Sequence, residues 1–335
     1  MLQFTRMDSS LGIIGHEWAV ETLKRGLASN TISHAYLFTG LPGVGKTSLA
    51  KVLAKMLLCQ AEEDPRPCDT CRACQMVDRG QHPDLHMIAS ERVGDSLKID
   101  QIRDVQHQLS LTPMEGAWRV AILRRFQEAT PSAANALLKT LEEPPGHVVM
   151  IVLATDADQL LSTIVSRCQH IHLNPLAKDV IKQALIKRWQ VDPQQAELLA
   201  HLAGGRLGWA VTALNDKSRL EMRAQRLEDL QHLIHASATE LLQFIEKVAR
   251  DPVATQETID LWISWWRDVL LLASGSGESL SNVDYEDRIG QHARQFGIQR
   301  SAAMLQSLRK ANQHLKRNAN TRLTLEVLVL DLPHA

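Results

Sequence analysis

The segment Gly40–Thr47 reads GLPGVGKT and satisfies G-x-x-x-x-G-K-[ST], a phosphate-binding loop. Gly43 and Gly45 let backbone N–H groups come close to phosphate oxygens, and a helix starting at Lys46 adds the positive end of its dipole. Lys46 is placed to reach the β- and γ-phosphates, and Thr47 to offer its hydroxyl to Mg²⁺. Gly40, Val44 and Ser48 complete the expected nucleotide-binding set. The competing reading is a Gly-rich turn that caps a helix without a ligand. It is disfavoured because an apolar strand, the loop and a helical segment follow one another in register.

A second constellation lies just beyond. Cys59, Cys68, Cys71 and Cys74 read C-x8-C-x2-C-x2-C, and four thiolates at such spacing can close a tetrahedral Zn²⁺ site. A closed site keeps no position for a reacting water, so the metal is structural. An iron–sulfur cluster is the chemical rival, and buried free thiols are the plain alternative. The fifth cysteine, Cys168, lies far along the chain in a different motif.

These residues need a frame. The apolar runs AYLFTG (Ala35–Gly40), DLHMIA (Asp84–Ala89), WRVAIL (Trp118–Leu123) and VVMIVLAT (Val148–Thr155) have strand length and are apolar on both faces. That character suits a buried parallel sheet, and helical segments between the runs predict an α/β layer architecture. Lys46–Leu58 reads as the helix after the loop. Beyond Asn174-Pro175 the texture turns helical, with AKDVIKQALIKRW and PQQAELLAHLA as helices and Gly204-Gly205 as a stop. NDKSRLEMRAQR then opens a long helical region, interrupted by a loop at Gly275–Ser279.

The chain has 335 residues, enough for two or three domains, with 44% hydrophobic and 22% charged residues and a net charge of -1. A dedicated nucleic-acid binder usually carries a basic excess, so contact with DNA is expected only through an assembly or a local patch. No apolar run has membrane-spanning length, and MLQFTRMDSS has no signal-peptide pattern. A cytoplasmic location follows as the expectation, and there crowded cysteines point to metal rather than disulfides.

Further motifs join the loop in a fixed order. HAYLFTG contains His34, DQIR spans Asp100–Arg103, ALLKTLEEPP spans Ala136–Pro145, LAT ends at Thr155, and SRC occupies Ser166–Cys168. With the inserted cysteine module, this series resembles the AAA+ subunits of bacterial clamp loaders, strongly over residues 12–173. The resemblance implies an AAA+ nucleotide-binding domain over 1–173 with a zinc module at 59–74, a small helical lid over 174–218 and a helical collar over 219–335.

The motor branch of that family, gamma/tau, ends one strand in Asp-Glu, for Mg²⁺ and for water activation. Here the matching strand RVAIL is followed by Arg124 and Arg125. Glu128 is expected to be a solvated helix residue. Loss of both acids implies binding of ATP or ADP, with weak Mg²⁺ placement and little or no hydrolysis. The chain therefore resembles the delta' branch. In the family the SRC arginine, here Arg167, reaches a neighbour's γ-phosphate as an arginine finger, and Thr155 matches a γ-phosphate sensor. The plain alternatives are a helix-end arginine with a surface partner and a strand-end threonine satisfied by backbone. The lid matches loosely, and Leu207 rather than Arg206 falls in the frame of the motor branch's second sensor.

The resemblance further implies gamma/tau and delta subunits as partners in a hetero-pentamer, a sliding clamp, and primed DNA through the assembly, with no membrane role. NANTRLTLEVLVLDL resembles the closing collar helix. Trp262, Trp265 and Trp266 recur at helical spacing, which favours the chain's own core over an interface. Arg309, Lys310, Lys316 and Arg317 read as a solvated helix face. A motor ATPase of the same complex, a non-replicative AAA+ remodeller and a zinc-dependent nucleic-acid module are the rival functions. Arg124 and Arg125 weigh against the first, and the LLKTLEEPP and SRC pair against the others.

Overall fold

The apolar runs form one parallel sheet. The computed structural model describes residues 12–61, 66–276, 279–316 and 319–333. The opening decapeptide, Arg317 and part of the Gly275–Ser279 loop lie outside them. In chain order the first elements are α1 (Glu17–Ala28), β1 (Ala35–Thr39), α2 (Lys46–Leu58), α3 (Arg72–Arg79), β2 (Leu85–Ile88), α4 (Ile99–Ser110) and β3 (Arg119–Leu123). There follow α5 (Pro131–Glu142), β4 (Val148–Leu153), the short α6 (Ser162–Val165) and β5 (Gln169–His172). The strand order is β2-β3-β4-β1-β5, and every pairing is parallel.

Successive residues of a strand point to opposite faces. Tyr36, Phe38, Val120, Ile122, Val149 and Ile151 pack with residues of α1 and α2, whereas Ala35, Leu37, Ala121, Leu123, Met150 and Val152 pack with α4 and α5. Helices therefore cover both faces, which is why the inner strands carry no polar alternation. Strand β5 escaped the sequence reading. It is an edge strand of sequence QHIH whose only buried residue is Ile171, so it lacks the apolar run that marks the others.

The chain divides into two compact units. One holds the residues up to Val180 together with Arg206–Gly208, and the other holds Ile181–Gly205 and the residues from Trp209 onward. The remaining helices are α7 (Lys178–Trp189), α8 (Pro193–Leu202), α9 (Leu207–Asn215), α10 (Ser218–Leu233), α11 (Ala238–Val248), α12 (Pro252–Ala273), α13 (Glu286–Lys316) and α14 (Thr321–Leu330). Helix α13 breaks at Gly297, where φ is 62°. Asp192 and Asp251 cap α8 and α12 with Pro at the next position, and Ser237 and Glu240 form a capping box on α11.

Trp262, Trp265 and Trp266 are fully buried in the core of this second unit, beside Leu227, Ile259, Phe296 and Leu328. Phe244 stacks on Trp262 at 5.7 Å, and the Nε1–H groups of Trp262 and Trp265 donate to Arg226 O and His292 Nδ1. The tryptophan stripe is interior, so it offers no surface to a partner. Arg309, Lys310 and Lys316 are exposed, as expected. Among the described residues, no helix is long and apolar enough to cross a membrane.

Candidate nucleotide site, cysteine centre and their neighbours

The phosphate loop is shaped by glycines that no other residue replaces. Gly40 has φ 139°, and a Cβ there would stand 2.5 Å from Leu173 O. Gly45 has φ 121° and gives way directly to α2. Lys46 Nζ donates to Gly40 O and, at 3.0 Å, to Leu41 O. Burial pulls its ammonium down to about 8, and an anion brought alongside would favour the charged form and oppose that shift. Val44 is buried, Thr47 is half-buried and Ser48 is exposed.

Three contributors to this loop were missed in the sequence. His16 is buried, and its Nε2 bonds Val44 O at 2.9 Å, bracing the loop from the start of α1. A His directly before a helical period was the only signal. Thr39, the last residue of β1, places its hydroxyl 2.7 Å from His170 Nε2 and 2.9 Å from His172 Nδ1, tying the loop's base to β5. Gly208 N donates to Gly43 O at 2.8 Å, and a Cβ at Gly208 would crowd that oxygen at the same distance.

The end of β3 differs from the expectation in one respect. Arg125 adopts φ 50° and its guanidinium turns toward the β2 edge, donating to Ser90 O and Ser90 Oγ at 2.8 Å each and to Glu128 at 2.9 Å. Glu128 is not solvated. Its side chain is only 12% exposed and also accepts from Ser90 Oγ and, at 3.1 Å, from Gly94 N. The sequence reading failed because the segment is a 3₁₀ turn folded under a loop rather than a free helix face. Strand β4 lies between β3 and β1, so the Arg125–Glu128 pair leans away from the strand that carries the phosphate loop.

Thr155 follows β4. Its carbonyl accepts from Gly40 N at 3.1 Å, and its hydroxyl donates to Gln159 Oε1 at 2.5 Å. Its partner is thus a side chain rather than the backbone. Arg167 follows α6. Nη2 pairs with Glu142 at 2.8 Å and Nη1 donates to Thr163 O at 2.9 Å. His34 Nε2 bonds Leu141 O at 3.1 Å, at the end of α5. Asp100 and Arg103 form an exposed pair at 3.6 Å on α4. Burial pushes the Cys168 thiol up to about 12, so it is a packed thiol rather than a reactive one.

The four module cysteines converge. Cys59 caps the C-terminus of α2 and Cys71 the N-terminus of α3, and all four Sγ atoms lie within 4.8 Å of one another. A Zn–S bond of about 2.3 Å sets S···S near 3.8 Å in a tetrahedron. The observed 3.6 Å between Cys59 and Cys68 and 4.0 Å between Cys59 and Cys71 bracket that value. Backbone N–H groups of Cys68, Cys71 and Cys74 point at the preceding ligand sulfurs at 3.3–3.5 Å. The Cys71 N–H bond, foremost, lowers the Cys68 thiol to about 6, whereas burial raises Cys74. The donor set thus fits a closed four-thiolate site.

The module is stitched to α2. Buried Lys55 pairs with Asp69 at 2.5 Å and Asp78 at 3.3 Å, and Lys51 Nζ donates to Asp78 O at 2.6 Å. Burial opposes the Lys55 charge, but Asp69 and then Asp78 outweigh it and hold its ammonium above the usual range. One 13-residue helix therefore runs from the phosphate-loop lysine to a sulfur ligand.

Comparison with known proteins agrees with this architecture. The family described as DNA polymerase III, delta subunit, matches residues 15–177, and its C-terminal family matches residues 217–334. The DNA polymerase III subunit delta' of Bacillus subtilis is 32% identical over 317 residues, covering 93% of this chain and 94% of that protein. The delta' subunit of Pseudomonas aeruginosa is 30% identical, covering 89% and 91%. The tau subunit of Bacillus subtilis is 29% identical over 96% of this chain, which spans 60% of tau. With a phosphate loop on a five-stranded parallel sheet and an all-helical C-terminal region, this chain belongs to the delta' family of DNA polymerase III clamp-loader subunits, AAA+ proteins related to gamma and tau.

Proposed function

We propose that the chain is a clamp-loader subunit that holds ATP or ADP, hydrolyses it weakly or not at all, and lends Arg167 in trans to a neighbouring motor subunit. The observation that carries this is at the end of β3. The loop keeps Lys46 and Thr47, while the acidic pair of a motor is replaced by Arg124 and Arg125. Nor does Glu128 stand in, because Ser90, Gly94 and Arg125 hold it. Phosphoryl transfer depends on placed charge, and losing one such contributor costs on the order of 10² to 10³ in rate.

In this reading Gly40, Gly43, Val44, Gly45 and Ser48 shape the phosphate cradle, Lys46 meets the phosphates, Thr47 carries a weakly held Mg²⁺, and Thr155 senses the γ-phosphate. Residues 1–173 form the nucleotide domain, 174–218 the lid and 219–335 the collar that joins subunits in a ring. Gamma/tau and delta are its partners, and the sliding clamp and primed DNA are met through the assembly. Cys59, Cys68, Cys71 and Cys74 hold a structural Zn²⁺, which supplies cross-linking of the module and no chemistry.

The test is nucleotide affinity and single-turnover hydrolysis of the isolated chain. Binding disappears in Lys46→Ala, while hydrolysis in the unaltered chain runs at least about 10²-fold below that of a motor subunit. Brisk hydrolysis that Lys46→Ala abolishes would overturn the proposal.

A further inference from the structure

Glu142 and Arg167 come from two separate motifs, LLKTLEEPP and SRC, yet they meet at 2.8 Å. Glu142 is the last residue of α5. A carboxylate there faces the negative end of the helix dipole, so α5 gains nothing from it. Among the described residues its side chain pairs with Arg167 alone. The platform beneath it is fixed. His34 holds Leu141 O at 3.1 Å, and Gln106 Nε2 donates to Ala136 O at 2.8 Å and Thr140 Oγ1 at 2.6 Å. On the other side Ile164, fully buried, anchors α6, and Thr163 O takes the second Arg167 nitrogen at 2.9 Å.

We infer that Glu142 is a positioning residue for Arg167, an inference that rests on the trans-finger reading. A free arginine samples many rotamers. Held by the Glu142 carboxylate on Nη2 and by Thr163 O and, at 3.5 Å, Ser166 Oγ on Nη1, the guanidinium keeps its Nε–H and one Nη2–H for a neighbour's phosphate oxygens. The side chains of Arg167 and Glu142 remain 35% and 53% exposed, so the pair sits where a partner can reach it. Orientation prepared before encounter lowers the barrier of the chemical step rather than tightening nucleotide binding.

The experiment is steady-state ATPase of the complex reconstituted from this full chain, motor subunits, delta, clamp and primed DNA. Glu142→Ala lowers kcat about fivefold, the most an exposed ion pair supplies, and leaves KM for ATP unchanged. Glu142→Gln keeps an acceptor oxygen and restores most of the rate. In an Arg167→Ala background, Glu142→Ala does nothing further, because its effect passes through the arginine. An equal loss in both backgrounds would show a structural role and overturn the inference, as would a rise in rate. If Arg167→Ala lowers the rate but Glu142→Ala does not, the positioning role fails and the finger stands. If Arg167→Ala has no effect, the finger reading fails and this inference fails with it.

Discussion

Restoring the acidic pair of a motor subunit, Arg124→Asp with Arg125→Glu, destabilises the first unit and does not create an ATPase. Arg125 supplies two sets of charge-assisted bonds, one to Glu128 at 2.9 Å and one to Ser90 O and Oγ at 2.8 Å. At about 1.5 kcal/mol for each set, the low end for groups near solvent, their loss costs about 3 kcal/mol. The new carboxylate also faces Glu128. Two like charges about 4 Å apart repel by about 4 kcal/mol at an effective dielectric of 20, but the new side chain can swing outward, because Arg125 is itself 23% exposed. About 3 kcal/mol is therefore the expected loss.

With an m value of about 3 kcal/mol per molar urea, the midpoint of the first unit falls by about 1 M. Urea titration followed by circular dichroism reads this directly. Hydrolysis by the double variant stays within about threefold of the unaltered chain, because the turn after β3 is folded toward Ser90 rather than the phosphate loop. A variant as stable as the parent that hydrolyses ATP briskly, with activity lost on Lys46→Ala, would refute this account of Arg125.

Two further outcomes follow from buried groups. Burial, with the charges of His235 and Arg288, lowers the His292 imidazole to about 4 from an ordinary 6.5. The unfolded chain takes up this proton below pH 6.5 and the folded chain does not, so stability is full above that pH and falls as pH drops toward 4. At pH 5 the loss is about 2 kcal/mol relative to pH 8, and His292→Leu removes that part of the pH dependence in paired urea titrations. Chelation, or Cys74→Ser at the fully buried ligand, removes one zinc per chain by elemental analysis. It also costs about 3 kcal/mol of linked stability, seen as a drop in Tm of roughly 10 °C.

Much of the first unit was legible because its signals are local. A strand, GLPGVGKT and a helix are adjacent in the chain, so Lys46 opens α2 where the motif places it. The four cysteines are likewise close in sequence, and a short loop has few ways to fold without bringing their sulfurs together. The tryptophans could be assigned to core from spacing, since a buried helix face repeats every three or four residues.

The remainder needed the folded chain, because the partners are far apart in sequence and no pattern links them. His16 meets Val44 across 28 residues, and Thr39 meets His170 across 131. Glu128 looked like a surface acid until Ser90 and Gly94 closed over it from a loop some 35 residues earlier. Strand β5 carries too little apolar character to announce itself, and only pairing with β1 makes it a strand. Periodicity records which face of an element is buried; it does not record what lies against that face, and the environment of each charge depends on the latter.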